Sequence, residues 1–280
     1  MFGDTIETNV VKTHVFMWMT KIIPSVLTTK KNNMKIQLIS FDYCLNPNNK
    51  LKIFKKVSES SDADLILFPS LTLRDEADLT YSDVDNWHSS MIFELEEAAP
   101  TCCVHAYNEL YLMRNGVYED MYSCQVFADT HELADSNVVS KFFSELSRRT
   151  RKWYGKRITI LQSEEILFLD YFEDGGAGDE LKMMYLRKCG FTDKFDELIE
   201  GTDIFLHLRQ DLGDVHNLER CKALSENNKF CFSTGSLDEK SEGKLRSSKL
   251  QTACHNGVEL ISKAVVDREL GYVSRVFEIE

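Results

Sequence analysis

The sequence predicts an α/β fold, and three observations carry this prediction. Short apolar segments rich in β-branched residues alternate with segments whose apolar residues recur at helical spacing. Residues 35–41, 50–60 and 64–68 form one strand–helix–strand succession, with the length and order of a βαβ unit. The same alternation continues on both sides of residue 150. A chain of 280 residues is long enough to bury one large α/β core.

The remaining elements follow in chain order from the same criteria. Asn115-Gly116 and Asn256-Gly257 each lie between apolar segments and predict hairpin turns. The predicted helices cover residues 87–99, 137–154, 180–189, 194–200 and 215–227. The predicted strands cover residues 101–105, 109–117, 158–161, 202–208, 230–234, 250–253 and 258–261, and residues 272–279 are a C-terminal segment.

Composition excludes some classes of function. The chain carries 45 acidic and 33 basic residues, a formal net charge of −12, which disfavours a nucleic-acid or anionic-membrane surface. The apolar segment 10–27 is interrupted by charged residues and a proline, so we expect no membrane span. Residues 1–33 are interpreted as an N-terminal arm and residues 34–280 as the folded domain.

Cysteine and histidine spacing predicts neither a disulfide framework nor a metal centre. The eight cysteines include no CxxC pair, and the seven histidines include no HExxH motif. We therefore expect reduced thiols in a cytoplasmic protein. The glycine-rich segment 174–179 lacks the GxGxxG order of a dinucleotide site, so no cofactor is predicted.

Polar residues directly follow two of the predicted strands. The strand 158–161 ends in Gln162-Ser163-Glu164-Glu165, and the strand 64–68 is followed by Pro69-Ser70. In α/β folds a buried strand fixes the backbone and presents polar groups at its open end. We expect Ser70 and Ser163 to face one pocket.

These segments resemble, in order, those of the carbon–nitrogen hydrolase (nitrilase) superfamily. The resemblance rests on the phrase Ala-Asp-Leu-Ile-Leu-Phe-Pro at 63–69, the Asn115-Gly116 turn followed by Tyr122, the strand 158–165 and the segment 201–206. It implies a four-layer αββα sandwich that forms homo-oligomers through its helices. The family's chemistry uses a Glu general base, a Lys that stabilises the oxyanion and a Cys nucleophile.

All three catalytic positions of the family are replaced on this chain. The resemblance places the base at Ser70, the lysine at Cys124 and the nucleophile at Ser163, with Glu165 as a possible surviving acid. A serine hydroxyl is a weak nucleophile without an adjacent base, and a thiol supplies no fixed positive charge to an oxyanion. The resemblance therefore implies a pseudoenzyme that binds a protein partner, or a small ligand in the vestigial pocket.

Two alternatives stay open. The first is an amide or C–N hydrolase, or an acyltransferase, that uses Ser163 as nucleophile, with Glu165 as base and Lys156 or Arg157 reaching in. The second is an acidic interaction protein that sequesters a basic partner through the loops at 75–85 and 170–179.

Overall fold

The computed structural model describes part of the chain, all of it within one compact unit spanning residues 33–280. The described residues are 33–42, 45–69, 101–106, 109–114, 117–120, 136–162, 166, 184, 187–188, 190–209, 216–236 and 250–280. Within these ranges, no helix is both long enough and apolar enough to cross a membrane.

The described elements follow in chain order. The helices are α1 (Pro47–Ser60), α2 (Ser136–Arg148), α3 (Phe191–Glu200) and α4 (Asn217–Leu224). The strands are β1 (Met34–Phe41), β2 (Leu65–Leu67), β3 (Thr101–Ala106), β4 (Glu109–Arg114), β5 (Val117–Asp120), β6 (Thr150–Trp153), β7 (Lys156–Gln162), β8 (Ile204–Leu208), β9 (Phe230–Thr234), β10 (Gln251–His255), β11 (Val258–Glu259), β12 (Val265–Asp267) and β13 (Tyr272–Ile279).

The strands form two sheets. The first sheet has the order β12-β13-β1-β2-β3-β4-β5, and the second has the order β11-β10-β9-β8-β7-β6. The three strands β1, β2 and β3 are parallel, as are β7, β8 and β9. The C-terminal strand β13 pairs antiparallel with β1, with Met34 opposite Ile279, so the chain returns to the sheet in which the described part begins.

Three apolar clusters divide the molecule into layers. Alternate residues of the parallel strands, such as Leu38 and Leu206, pack between the two sheets. The opposite face of the first sheet packs on α1 through residues that include Phe54 and Phe68, whose ring centroids lie 4.0 Å apart. The opposite face of the second sheet packs on α2, α3 and α4. This arrangement is the predicted αββα sandwich.

Local sequence explains where α1 begins. The Asn46 side chain accepts a hydrogen bond from the Asn49 backbone N–H at 2.9 Å, as N-cap residues do. Pro47 occupies the first turn, where its missing N–H removes no helical bond. The helix therefore starts three residues before the predicted residue 50 and ends at Ser60 as predicted.

The predicted helix 137–154 is wrong at its C-terminal end. The helix stops at Arg148, and Thr150–Trp153 is instead an edge strand that pairs antiparallel with β7. The reason is the two-residue turn between β6 and β7, where Tyr154 and Gly155 have φ of 48° and 80°. Two consecutive left-handed residues make the turn that matches the twist of a hairpin.

Two other predicted elements are shorter than expected. The strand predicted at 109–117 divides into β4 and β5, which pair antiparallel with Arg114 opposite Val117. The helix predicted at 215–227 covers only Asn217–Leu224, and it is followed by Asn227 and Asn228 with φ of 57° and 64°. The predicted helix 87–99 lies outside the described residues, as do most of the helix predicted at 180–189 and residues 1–32 of the predicted arm.

Candidate functional site

The carboxyl ends of the parallel strands come together from both sheets. In open α/β sheets, ligands bind beyond the carboxyl ends of the strands. On the first sheet, β2 ends at Leu67, and the buried residues Phe68 and Pro69 follow it. On the second sheet, β7 ends at Gln162 opposite Leu208 of β8.

Buried hydroxyls join the two sheets at these ends. Thr234 Oγ1 donates to the carbonyl oxygen of Ile39 at 2.6 Å and lies 3.0 Å from Ser40 Oγ. Because the Thr234 proton is directed at the carbonyl, the Ser40 hydroxyl must donate to Thr234. Both side chains are fully buried. A satisfied polar contact here fixes the spacing of β1 and β9 at the edge where a ligand would bind.

Gln251 makes a second link between the sheets. Its Nε2 donates to the carbonyl oxygens of Leu38 and Val273, both at 2.9 Å. Since both partners are acceptors, the orientation of the amide is determined, and Oε1 must point the other way. Gln251 Oε1 and Ser236 Oγ are both buried and have no hydrogen-bond partner in the described part of the chain. We call Ser40, Thr234, Ser236 and Gln251 the carboxyl-edge cluster.

A permanent cation lies beside this cluster. Arg209 directly follows β8 and is 2% exposed, and one of its guanidinium nitrogens donates to the Leu250 carbonyl oxygen at 3.1 Å. Its backbone N–H donates to Thr234 O at 2.8 Å, which extends the β8–β9 pairing by one residue. Arg209 thus brings a guanidinium, which cannot act as a base, to the carboxyl ends of the second sheet.

The expectation that Arg157 or Lys156 reaches the serine pocket is wrong. Both residues lie at the start of β7, the opposite end of the strand from Gln162. Arg157 donates to the Glu200 carbonyl oxygen at 3.1 Å, and its backbone N–H bonds Asp203 at 2.6 Å. The length of the extended strand, about 20 Å, separates these cations from the carboxyl edge.

A polar network fixes α4 to the outer face of the second sheet. Ser233 Oγ lies 3.1 Å from His207 Nδ1 and donates to Asn217 Oδ1 at 3.3 Å, while Asn217 Nδ2 donates to Thr252 Oγ1 at 3.3 Å. All four side chains are buried. The network attaches the first residue of α4 to three strands and thereby sets the position of the helix.

Three buried thiols lie under α4. Cys221 comes from the helix, and Cys231 and Cys254 come from opposite positions of β9 and β10. Burial raises the pKa of Cys254 to about 12 and raises the pKa of Cys231, with the neighbouring Cys221 thiol adding to both effects. The Cys231 and Cys254 thiols are therefore neutral, and all three cysteines pack as small apolar side chains. The described residues contain no cluster of His, Cys, Asp and Glu suited to a metal ion.

The four site residues predicted from the sequence, Ser70, Cys124, Ser163 and Glu165, lie outside the described residues. The described strands fix only where the chain enters these segments: Ser70 follows Pro69, and Ser163 follows Gln162, the last residue of β7. The carboxyl-edge cluster and Arg209 were not among the predicted residues. The sequence feature that could have indicated them is a polar residue at the end of an apolar strand, such as Thr234 at the end of Phe230–Thr234.

Comparison with solved structures identifies the fold. Over 86% of its length, this chain overlays on the glutamine-dependent NAD+ synthetase from Acinetobacter baumannii in complex with ADP, with a TM-score of 0.53 and 14% identity. The fold is of the carbon–nitrogen hydrolase type. The chain spans 47% of that synthetase chain, about half of it. At this identity the likeness concerns the fold alone.

Two further overlays have lower scores. A carbon–nitrogen hydrolase from Helicobacter pylori G27 overlays at a TM-score of 0.48 and 6% identity, covering 87% of this chain and 89% of the other. A glutamine-dependent NAD(+) synthetase from Cytophaga hutchinsonii overlays at 0.46 and 11% identity, covering 88% and 42%. No family model and no curated protein matches the chain.

Proposed function

We propose that this protein has a carbon–nitrogen hydrolase fold without the hydrolytic chemistry, and that it acts by binding. The observation that carries the proposal is the position of two strand ends. β2 ends at Leu67 and β7 ends at Gln162, and in this proposal the chain continues from these two ends into the base and nucleophile positions, Ser70 and Ser163.

The residue types at these positions argue against hydrolysis. A serine at the base position cannot remove a proton near neutral pH, and Cys124 carries no fixed positive charge for an oxyanion. Without a base, Ser163 is a poor nucleophile. Arg209 supplies a cation at the carboxyl edge but cannot accept a proton. These groups hold a polar ligand more readily than they cleave a bond.

The bound molecule in this proposal is a protein partner, which includes a second copy of the chain, or a small ligand at the carboxyl edge. Resemblance to a superfamily that assembles through helices supports self-association. The net charge of −12 favours a basic partner, and loss of the complex at raised salt would identify an electrostatic contact.

The first test measures ammonia release from a panel of amides and nitriles. Glutamine is included because the synthetase from Acinetobacter baumannii on which this chain overlays is glutamine-dependent. We expect no turnover by the wild type, no labelling of Ser163 by a fluorophosphonate, and no change in Ser163→Ala. Turnover that Ser163→Ala abolishes would overturn the proposal in favour of a serine hydrolase.

Two further variants make the test specific. Asp42→Asn removes a carboxylate that directly follows β1, so turnover lost in this variant would reveal a substitute base and would also overturn the proposal. The triple variant Ser70→Glu, Cys124→Lys and Ser163→Cys restores the residue types of the family. Gain of any amidase activity in this variant would support the assignment of the three positions.

A further inference from the structure

A cavity of about 460 Å³ lies on the outer face of the second sheet, between α2 and α3. Its volume is within the range of small-molecule sites. It is near the amino ends of β7 and β8, at the opposite end of these strands from the carboxyl-edge cluster. Its lining is polar for a groove between two helices: Ser140, Ser144 and Ser147 on α2, Lys194 and Glu197 on α3, and Thr150, Arg157 and Thr202 around them.

A chain of three contacting threonine hydroxyls lies at the floor of the cavity. Thr150 Oγ1 and Thr159 Oγ1 lie 2.8 Å apart, and Thr159 Oγ1 and Thr202 Oγ1 lie 2.7 Å apart. At its two ends the chain contacts backbone carbonyl oxygens, that of Leu146 at 3.1 Å from Thr150 and that of Leu198 at 2.8 Å from Thr202. Four contacts therefore share three hydroxyl protons, and carbonyl oxygens cannot donate.

One of the four contacts must consequently lack a proton. Leu146 O already accepts the Arg149 backbone N–H at 3.0 Å, and its contact with Thr150 is the longest of the four. The hydroxyl protons are therefore best directed from Thr150 through Thr159 and Thr202 to Leu198 O. This leaves the oxygen of Thr150, the partly exposed member of the chain, open to a donor in the cavity.

The charges around the cavity have both signs. Lys194 and Glu197 lie one turn apart on α3, and neither side chain has a hydrogen-bond or ion-pair partner among the described residues. Arg157, an exposed cation, lines the same cavity. The floor lies at the last turns of α2 and α3, where the helix dipoles favour a positive group. The cavity lining therefore offers a ligand both an acceptor carboxylate and donor cations.

The geometry points to a site for a small zwitterion, with the chemistry of a free amino acid. Its ammonium group donates to Thr150 and pairs with Glu197 at the floor, while its carboxylate binds Lys194 and Arg157. Phe143 and Leu198 contribute the apolar part of the lining. This site goes beyond the proposed function, because it shares no residue with the carboxyl edge.

The test uses the full chain and saturation-transfer NMR with each free amino acid, and with acetate and methylammonium as single-charge probes. Lys194→Ala and Glu197→Gln should each weaken amino-acid binding at least about tenfold, as expected for the loss of one charged hydrogen bond. Thr150→Val should weaken it as well. Lys188→Ala and Glu226→Gln are matched controls, since both residues are exposed and outside the cavity, and they should leave the affinity unchanged.

Four outcomes would overturn the inference. They are no binding of any amino acid, acetate binding as tightly as the best amino acid, a crystal grown with the best-binding amino acid that holds only water in the cavity, and an oligomer that Ser144→Trp dissociates, because that would make this face a contact between copies of the chain. Ser163→Ala is included in every titration. Binding lost in Ser163→Ala but retained in Lys194→Ala would place the ligand at the carboxyl edge, which would refute this site and leave the proposed function standing.

Discussion

Replacing Gln251 with glutamate exchanges a group that donates two protons for one that donates none or one. The amide is 2% exposed, and its Nε2 donates to Leu38 O and Val273 O, both at 2.9 Å. A carboxylate there would face two carbonyl oxygens with no proton between them. Losing two buried hydrogen bonds and leaving their acceptors unpaired should cost about 3 to 5 kcal/mol in the free energy of unfolding.

The cost should also depend on pH. Burial and the two carbonyl oxygens raise the pKa of the introduced carboxyl in the folded state above its unfolded value of about 4.3. Below that unfolded value both states are protonated, and one of the two hydrogen bonds survives. As pH rises towards the folded pKa, the unfolded state ionises first and stability falls. Gln251→Glu should therefore be less destabilised at pH 5 than at pH 8, relative to the wild type at each pH.

Gln37→Glu is the matched control for this substitution. Gln37 lies on β1 beside Leu38, half-buried, and its side chain bonds the hydroxyls of Ser274 and Ser61. Both hydroxyls can rotate to donate to a carboxylate, so we expect a cost below about 1 kcal/mol. Urea unfolding at both pH values measures the two variants. Equal costs for Gln251→Glu and Gln37→Glu would refute the argument from fixed carbonyl acceptors.

Two further predictions come from the second sheet and its helices. Thr159→Val removes a fully buried hydroxyl but should lower the free energy of unfolding by less than about 1 kcal/mol, because Thr150 and Thr202 can then each donate to a carbonyl oxygen. Thr202→Val should lower it by about 2 kcal/mol. Urea unfolding compares the two variants, and equal costs would contradict the count of three protons for four contacts. Burial raises the pKa of Cys254 to about 12 and also raises the pKa of Cys231, so neither thiol should be alkylated by iodoacetamide in the native protein at pH 8. Mass spectrometry after a timed reaction checks this, and labelling without unfolding would show that the thiols are accessible.

The fold class was predictable because it depends on local hydrophobic periodicity. The strand predicted at 230–234 matches β9 from end to end, since it is a short apolar segment bounded by turn or polar residues. The αββα layering came from resemblance to a family. The helix predicted through residue 154 failed at its end because Thr150–Trp153 carries a single apolar residue, too few to show a period, and the turn at Tyr154-Gly155 forms a hairpin instead.

The pairing of distant segments could not be predicted in the same way. Nothing in residues 272–279 indicates that they pair with β1 in the first sheet rather than with β10 in the second. The predicted positions Ser70 and Ser163 rest on strand ends, which are local features. Placing Arg157 in the same pocket was wrong because Arg157 lies at the start of β7 and Ser163 follows its last residue, and an extended strand keeps its two ends apart.

The amino-acid sequence alone therefore predicted the alternation of strands and helices, the acidic net charge and the serines that follow two strands. The contacts that define the candidate sites came from packing. Ser40 and Thr234 are 194 residues apart in sequence and meet because the two sheets stack. Thr150, Thr159 and Thr202 form one chain of hydroxyl contacts because a hairpin and two helix ends pack together. Hydrophobic periodicity acts within a few residues, whereas the partners of a buried polar group depend on how separate elements pack.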